Sequence, residues 1–109
     1  MATIDTFKEL DIRVGTIVHA EFFAEARKPA IKLKVDLGDI GVKASSAQLT
    51  KRYEAADLIG KQVLAVVNFP SMNIAGFTSE ILVLGAVPNK EDVVLIQPEV
   101  AVANGTRVG

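Results

Sequence analysis

Catalysis at neutral pH needs a nucleophile, an acid–base pair or clustered ligands, and this sequence offers little of each. Its one histidine, His19, has no second imidazole to join it in a metal site or a proton relay. Serines stand at Ser45, Ser46, Ser71 and Ser79, none in the glycine-flanked pattern of a nucleophile elbow. Asp36 and Asp39 flank Gly38 and read as turn residues, not as an acid–base pair. There is no cysteine, which excludes a disulfide framework, a thiolate zinc site and a cysteine nucleophile. No glycine loop of the phosphate-cradling type is present. The expectation is a non-enzymatic binding protein with no metal and no cofactor.

Two groups of residues suit binding. The first lies between the apolar runs 63–67 and 81–84, both short and β-branched, which read as buried strands. The connector between them holds Pro70 and Gly76, which disfavour regular structure, yet it carries Phe69, Met72, Ile74 and Phe77. A surface turn rarely needs four large apolar side chains, so the connector either folds back as a lid or offers an apolar surface to a partner. The second group is basic. Arg27, Lys28, Lys32, Lys34, Lys43, Lys51 and Arg52 face only Asp36 and Asp39 within 27–52, giving that segment a net +5 and the remainder −6. The overall charge of −1 therefore hides one basic face.

The elements that must position these residues form a small β-barrel. Half of the 109 residues are apolar and 23% are charged, so one domain spanning 1–109 with a single core is expected. Thr3 caps a short helical turn over 4–10, with Phe7 and Leu10 inward. A first strand runs from Ile12 to Phe23, with a bulge or tight bend expected at Gly15. The segment 31–37 alternates cleanly: Ile31, Leu33, Val35 and Leu37 face the core, and Lys32, Lys34 and Asp36 face water. A third strand starts at 42–44. Ser45 or Ser46 is expected to cap a helix through Tyr53, with Lys51 and Arg52 beside its apolar face. Strands follow over 62–69, 79–87 and 93–96, and the tail, with Asn104–Gly105 as a turn, adds a last short pairing. The fold class expected is all-β with short helices: a five-stranded oligonucleotide-binding (OB) barrel with extra C-terminal strands. Those strands carry Val and Leu on both faces and leave an edge to cover, which a symmetric homodimer would do. The first residues lack a basic start followed by an apolar run, and no apolar stretch approaches the roughly 20 residues that span a bilayer. A cytoplasmic protein without membrane insertion is expected.

Four blocks carry a family resemblance. They are 10–17 (LDIRVGTI), 26–33 (ARKPAIKL), 42–50 (VKASSAQLT) and 68–85, which includes Ile74-Ala75-Gly76-Phe77 and Ser79-Glu80. Taken together and in order, the set resembles the tRNA-binding domains of the OB fold, found free-standing and at the C-termini of methionyl-tRNA synthetases. More narrowly it resembles the CsaA branch, small chaperones linked to protein export. That resemblance implies a homodimer that binds unfolded or precursor polypeptides, in contact with the export machinery, with tRNA as the alternative ligand. On the peptide reading, Phe69, Pro70, Met72, Ile74 and Phe77 supply the apolar contacts. Glu80, carried over from the CsaA pattern, meets a basic group on the client. On the tRNA reading, Lys32, Lys34, Lys43, Lys51 and Arg52 hold phosphates with Arg27 and Lys28 at the rim, and a base stacks on Phe77. The chain departs from the tRNA-binding pattern in having Ala75 where a basic residue usually precedes the glycine. It also has Ile81-Leu82 in place of that pattern's Gly-Met, and it departs from CsaA-like chains, often basic there, in having neutral Met72 and Asn73. Each departure weakens phosphate attraction at the connector and favours the polypeptide reading.

Overall fold

The computed structural model describes residues 1–109. In chain order the elements are α1 (Ile4–Lys8), β1 (Ile12–Phe22), β2 (Ile31–Asp36), a 3-10 turn (Gly38–Ile40), β3 (Val42–Ala47), α2 (Ala55–Leu58), β4 (Gln62–Val66), β5 (Met72–Ile74), β6 (Phe77–Ser79), β7 (Leu82–Val83), β8 (Gly85–Asn89) and β9 (Asp92–Leu95). Five strands form the barrel sheet in the order β3-β2-β1-β4-β7, while β5–β6 and β8–β9 are separate antiparallel hairpins.

The long β1 organises the barrel by serving two partners. Residues Ile12–Thr16 pair with β4, and Thr16–Phe22 pair with β2. Its burial changes phase on the way: Ile12 and Val14 are buried, then Gly15 and Ile17, while Val18 is exposed. Strict alternation from Ile12 to Ala20 therefore fails. The register slip falls between Ile17 and His19, not at Gly15. Gly15 serves close approach instead. A Cβ there would sit 2.5 Å from Val35 Cγ1 and 2.7 Å from Leu37 Cδ2. The alternation of 31–37 holds: Ile31, Leu33, Val35 and Leu37 are buried and join Ile17, Leu49, Leu58, Val63, Ala65 and Ile81 in one core.

Four sequence-based expectations are corrected. The helix expected from Ser45 or Ser46 is strand, because β3 pairs residue for residue with β2 from Val42 to Ala47. Ser45, opposite Leu33, is buried in that ladder, and the long-range pairing outweighs a local cap. The chain then makes one turn, with the Tyr53 N–H donating to the Leu49 carbonyl, and the helix comes later as α2. Phe7 does not point inward. α1, closed by a reciprocal Thr3–Thr6 capping box, buries no residue and faces the C-terminal residues across an open groove. The strand expected over 79–87 is broken: Ser79 ends β6, Leu82 and Val83 pair with β4 as β7, and from Gly85 the chain pairs with β9 as β8. The connector, expected to avoid regular structure, is a tight hairpin. Ala75 and Gly76 both take positive φ (48° and 83°), and Asn73 Oδ1 accepts the Gly76 N–H at 3.1 Å.

The tail pairs as expected. Gly105 N–H donates to the Val14 carbonyl at 2.7 Å and Val108 N–H to the Ile12 carbonyl at 2.8 Å, so the tail covers the β1 edge that β2 leaves free. Asn104 Oδ1 accepts from the Thr16 hydroxyl and from Gln62 Nε2, which fixes the tail to β1 and β4. The chain exposes 6751 Å². A typical monomer of this mass exposes about 5,800 Å².

Candidate functional site

The seam between β3 and the β6–β7 segment is where the barrel closes, and it closes without a backbone ladder. On one side β3 pairs with β2 over six residues. On the other, Glu80 Oε1 accepts the Ala44 N–H at 3.0 Å and Ser79 Oγ accepts the Ser46 N–H at 3.1 Å. The Glu80 N–H returns a bond to the Ala44 carbonyl at 2.8 Å. Two side chains thus occupy donors of an edge strand that would otherwise invite another chain.

Above this seam the β5–β6 hairpin leans out and leaves a groove of about 310 Å³. Phe69, Pro70, Met72 and Ile74 line it from the connector, Ile81 and Leu82 from its far end, and Ser46, Ser79 and Glu80 from the seam. Met72 and Leu82 are 64% and 48% exposed, so the groove's apolar surface faces solvent. Asn68 sets where the connector leaves the barrel. Its Oδ1 accepts the Asp11 N–H, and its Nδ2 donates to the Glu9 carbonyl.

Five of the six residues expected on the peptide reading (Phe69, Pro70, Met72, Ile74 and Glu80) therefore meet in one concavity. The sixth, Phe77, does not line it. Its ring stands edge-on to Phe23 with centroids 5.5 Å apart, and the Lys32 ammonium lies 5.3 Å from it and 4.6 Å from the Phe23 ring. This packing ties the hairpin to the ends of β1 and β2, and it leaves Phe77 a poor platform for a stacked base. Glu80 braces the seam and has Lys43 Nζ 4.0 Å from its second oxygen.

The basic residues divide into four settings. Lys32 and Lys34 point outward from β2, where Lys32 is engaged by the two rings and Lys34 is exposed. Lys43 pairs with Val35 in the ladder and reaches Glu80. Arg52 makes a bidentate pair with the buried Asp92 of β9, which pins the β8–β9 hairpin to the segment after β3. That bond holds the Asp92 carboxyl below its ordinary range and raises the Arg52 guanidinium. The Tyr53 hydroxyl accepts the Leu95 N–H beside it. Arg27, Lys28 and Lys51 remain exposed and unpaired. Ser46, Ser79, Ile81 and Leu82 were not among the expected site residues. Their roles depend on the seam and on β7, which join segments more than thirty residues apart. His19 is exposed on β1, with Glu21 3.4 Å away.

A β-barrel with a solvent-facing apolar groove and exposed cations has the features of a binding domain. Residues 12–107 match the family described as "Putative tRNA binding domain", and the chain belongs to that family. It is similar to the methionine–tRNA ligases of Methanococcoides burtonii (39% identity) and Campylobacter jejuni (33%) over 97% of its own length. It spans only 15% and 17% of those enzymes. Among solved structures it is similar to the chaperone CsaA of Bacillus anthracis, with 57% identity, TM-score 0.96, and 100% and 99% of the two chains covered. The CsaA chaperone protein of Picrophilus torridus follows at 46% and 0.92 over both whole chains. The methionyl-tRNA-synthetase-related protein of Pyrococcus horikoshii shares 27% at TM-score 0.88, covering 100% and 98%. The OB-type barrel is shared with the CsaA structures.

Proposed function

We propose that this protein is a chaperone that holds unfolded or precursor polypeptides, with the groove beside β3 as its binding site. The observation that carries the reading is the convergence of Phe69, Pro70, Met72, Ile74 and Leu82 on one exposed concavity. Burying apolar client side chains there supplies about 25 cal/mol per Å², against the cost of ordering the client. Met72 suits varied clients because its unbranched side chain adapts to different shapes. The similarity to two CsaA structures over the full chain supports the same reading.

The family match supports a second reading, tRNA binding, on the exposed Arg27, Lys28, Lys34 and Lys51. Phosphate contacts there would make affinity fall with salt by roughly 0.7 log units per log unit of salt for each phosphate held. Competition at near-physiological salt separates the two. Labelled unfolded polypeptide that binds and resists displacement by bulk tRNA supports the chaperone reading. Displacement at low tRNA concentration makes RNA the primary ligand.

The working form is a homodimer in the cytoplasm. The protomer exposes roughly 900 Å² beyond the expectation for its mass, close to one partner's share of a standard interface. Exposed Val87, Ile96, Val100 and Val102 on the C-terminal elements provide apolar surface for it. Sedimentation at micromolar concentration is expected to show twice 11.6 kDa; a single 11.6 kDa species would overturn the dimer.

A further inference from the structure

The apolar groove does not end at the hairpin. Ser46 and Ile74 also line a second concavity of about 320 Å³, whose other walls include Arg27, Lys28 and Gln48. Lys28 and Gln48 line a third, smaller one of about 90 Å³ together with Thr50, Lys51 and Glu91. Each shares lining residues with the next, so the three adjoin one another along β3 and the residues after it, a succession referred to below as the track. The track is apolar at the Phe69–Leu82 end. At its other end Arg27, Lys28 and Lys51 have no carboxylate within 4.0 Å.

We propose that this track reads an extended polypeptide with two features: apolar side chains for the 310 Å³ groove, and an Asp or Glu side chain for the Arg27–Lys28–Lys51 end. The proposal rests on the chaperone reading and adds a charge preference to it. The supporting argument is charge complementarity. Glu80 and Lys43 already face each other at the apolar end, so neither presents an uncompensated charge to a client there. Arg27, Lys28 and Lys51 supply three cations against one lining carboxylate, Glu91, and the Asp92 carboxylate near Lys51 is already taken by Arg52. The walls also fix the client's conformation. The track runs beside β3 from the Ser46 seam to Thr50, and an extended chain advances about 3.3 Å per residue. The acidic residue therefore lies further along the same extended client than the apolar anchor. A polypeptide is favoured over RNA because the track's apolar end has no free cation for phosphate, and half-buried Phe77 is already engaged by Phe23 and Lys32.

Three labelled peptides of one length test this by fluorescence anisotropy. Each carries the same Leu-Phe anchor, with Asp, Asn or Lys at one shared position further along. The expected order of affinity is Asp above Asn above Lys, with about tenfold between the ends. In Arg27→Glu/Lys28→Glu, both on the exposed turn before β2, that order reverses. Equal affinities for all three peptides in the wild-type protein overturn the charge preference and leave the groove standing. Failure of the Asn peptide to bind at all overturns the chaperone reading itself. If the double variant leaves the peptide order unchanged and loses single-stranded RNA instead, the basic end is a nucleic-acid site and the proposal is wrong. A far-ultraviolet spectrum matching wild type confirms that the variant is folded.

Discussion

The two sides of β3 are held in different ways. Toward β2, the strand pairs over six residues, and the side chains behind that ladder, Ile31, Leu33 and Val35, are fully buried. Toward β6 and β7, the N–H groups of Ala44 and Ser46 are taken by one carboxylate and one hydroxyl, and the surface beyond is an exposed apolar groove. The first side is a folding solution, in which backbone bonds and apolar burial reinforce each other. The second satisfies the edge donors with side chains and leaves its apolar surface in water. The contrast teaches that the ladder edge of the strand serves stability, while the other edge, beside the proposed binding groove, can be disturbed separately.

The largest effect should come from the ladder side. Leu33→Ala removes a fully buried side chain from the core and should cost about 2–5 kcal/mol, read as a drop in the denaturant midpoint. Gly15→Ala places a methyl group against Val35 and Leu37 and should cost about 1–3 kcal/mol through overpacking. A neutral result at Gly15 would mean that β1 and β2 approach less closely than described. On the seam side, Ser79→Ala removes the acceptor of the Ser46 N–H and should cost about 1 kcal/mol. Hydrogen exchange at Ser46 should quicken while β2 amides keep their protection; uniform quickening would erase the contrast between the two sides. Met72→Ser, on an exposed side chain, should leave stability within about 0.5 kcal/mol. It should weaken polypeptide binding several-fold.

A pH series sharpens the comparison from a third point. Asp92 has a folded pKa below its unfolded value because Arg52 hydrogen-bonds the charged form. Its contribution is therefore fully present above the ordinary Asp pKa of about 3.9 and is lost as pH falls through the depressed folded value. The stability gap between wild type and Asp92→Asn should be constant near neutrality and close in acid. A gap that persists in strong acid would show that the pair acts through packing, not charge.

Much of the barrel was legible because its signals are local. The alternation of 31–37 and the β-branched run at 63–67 each announce burial by period and composition alone. The groove was partly legible, since an apolar connector holding Pro70 and Gly76 must either fold back as a lid or offer a surface. What escaped the sequence were pairings between distant residues. Nothing near Arg52 announces that it is spent on Asp92, forty residues away, or that Lys32 lies over Phe77. Ser45 and Ser46 carry a real capping signal, but the β2 ladder outweighs it. The hairpin at Ala75–Gly76 was obscured because alanine rarely takes positive φ.

The most direct test of the central claim is amide hydrogen exchange with and without a saturating apolar peptide. Protection is expected to rise at Ser46, at Met72 through Ile74 and at Leu82, and to stay unchanged over Val18–Glu21 of β1. Protection gained only outside the β3 seam and the β5–β6 hairpin, with the peptide demonstrably bound, would contradict it.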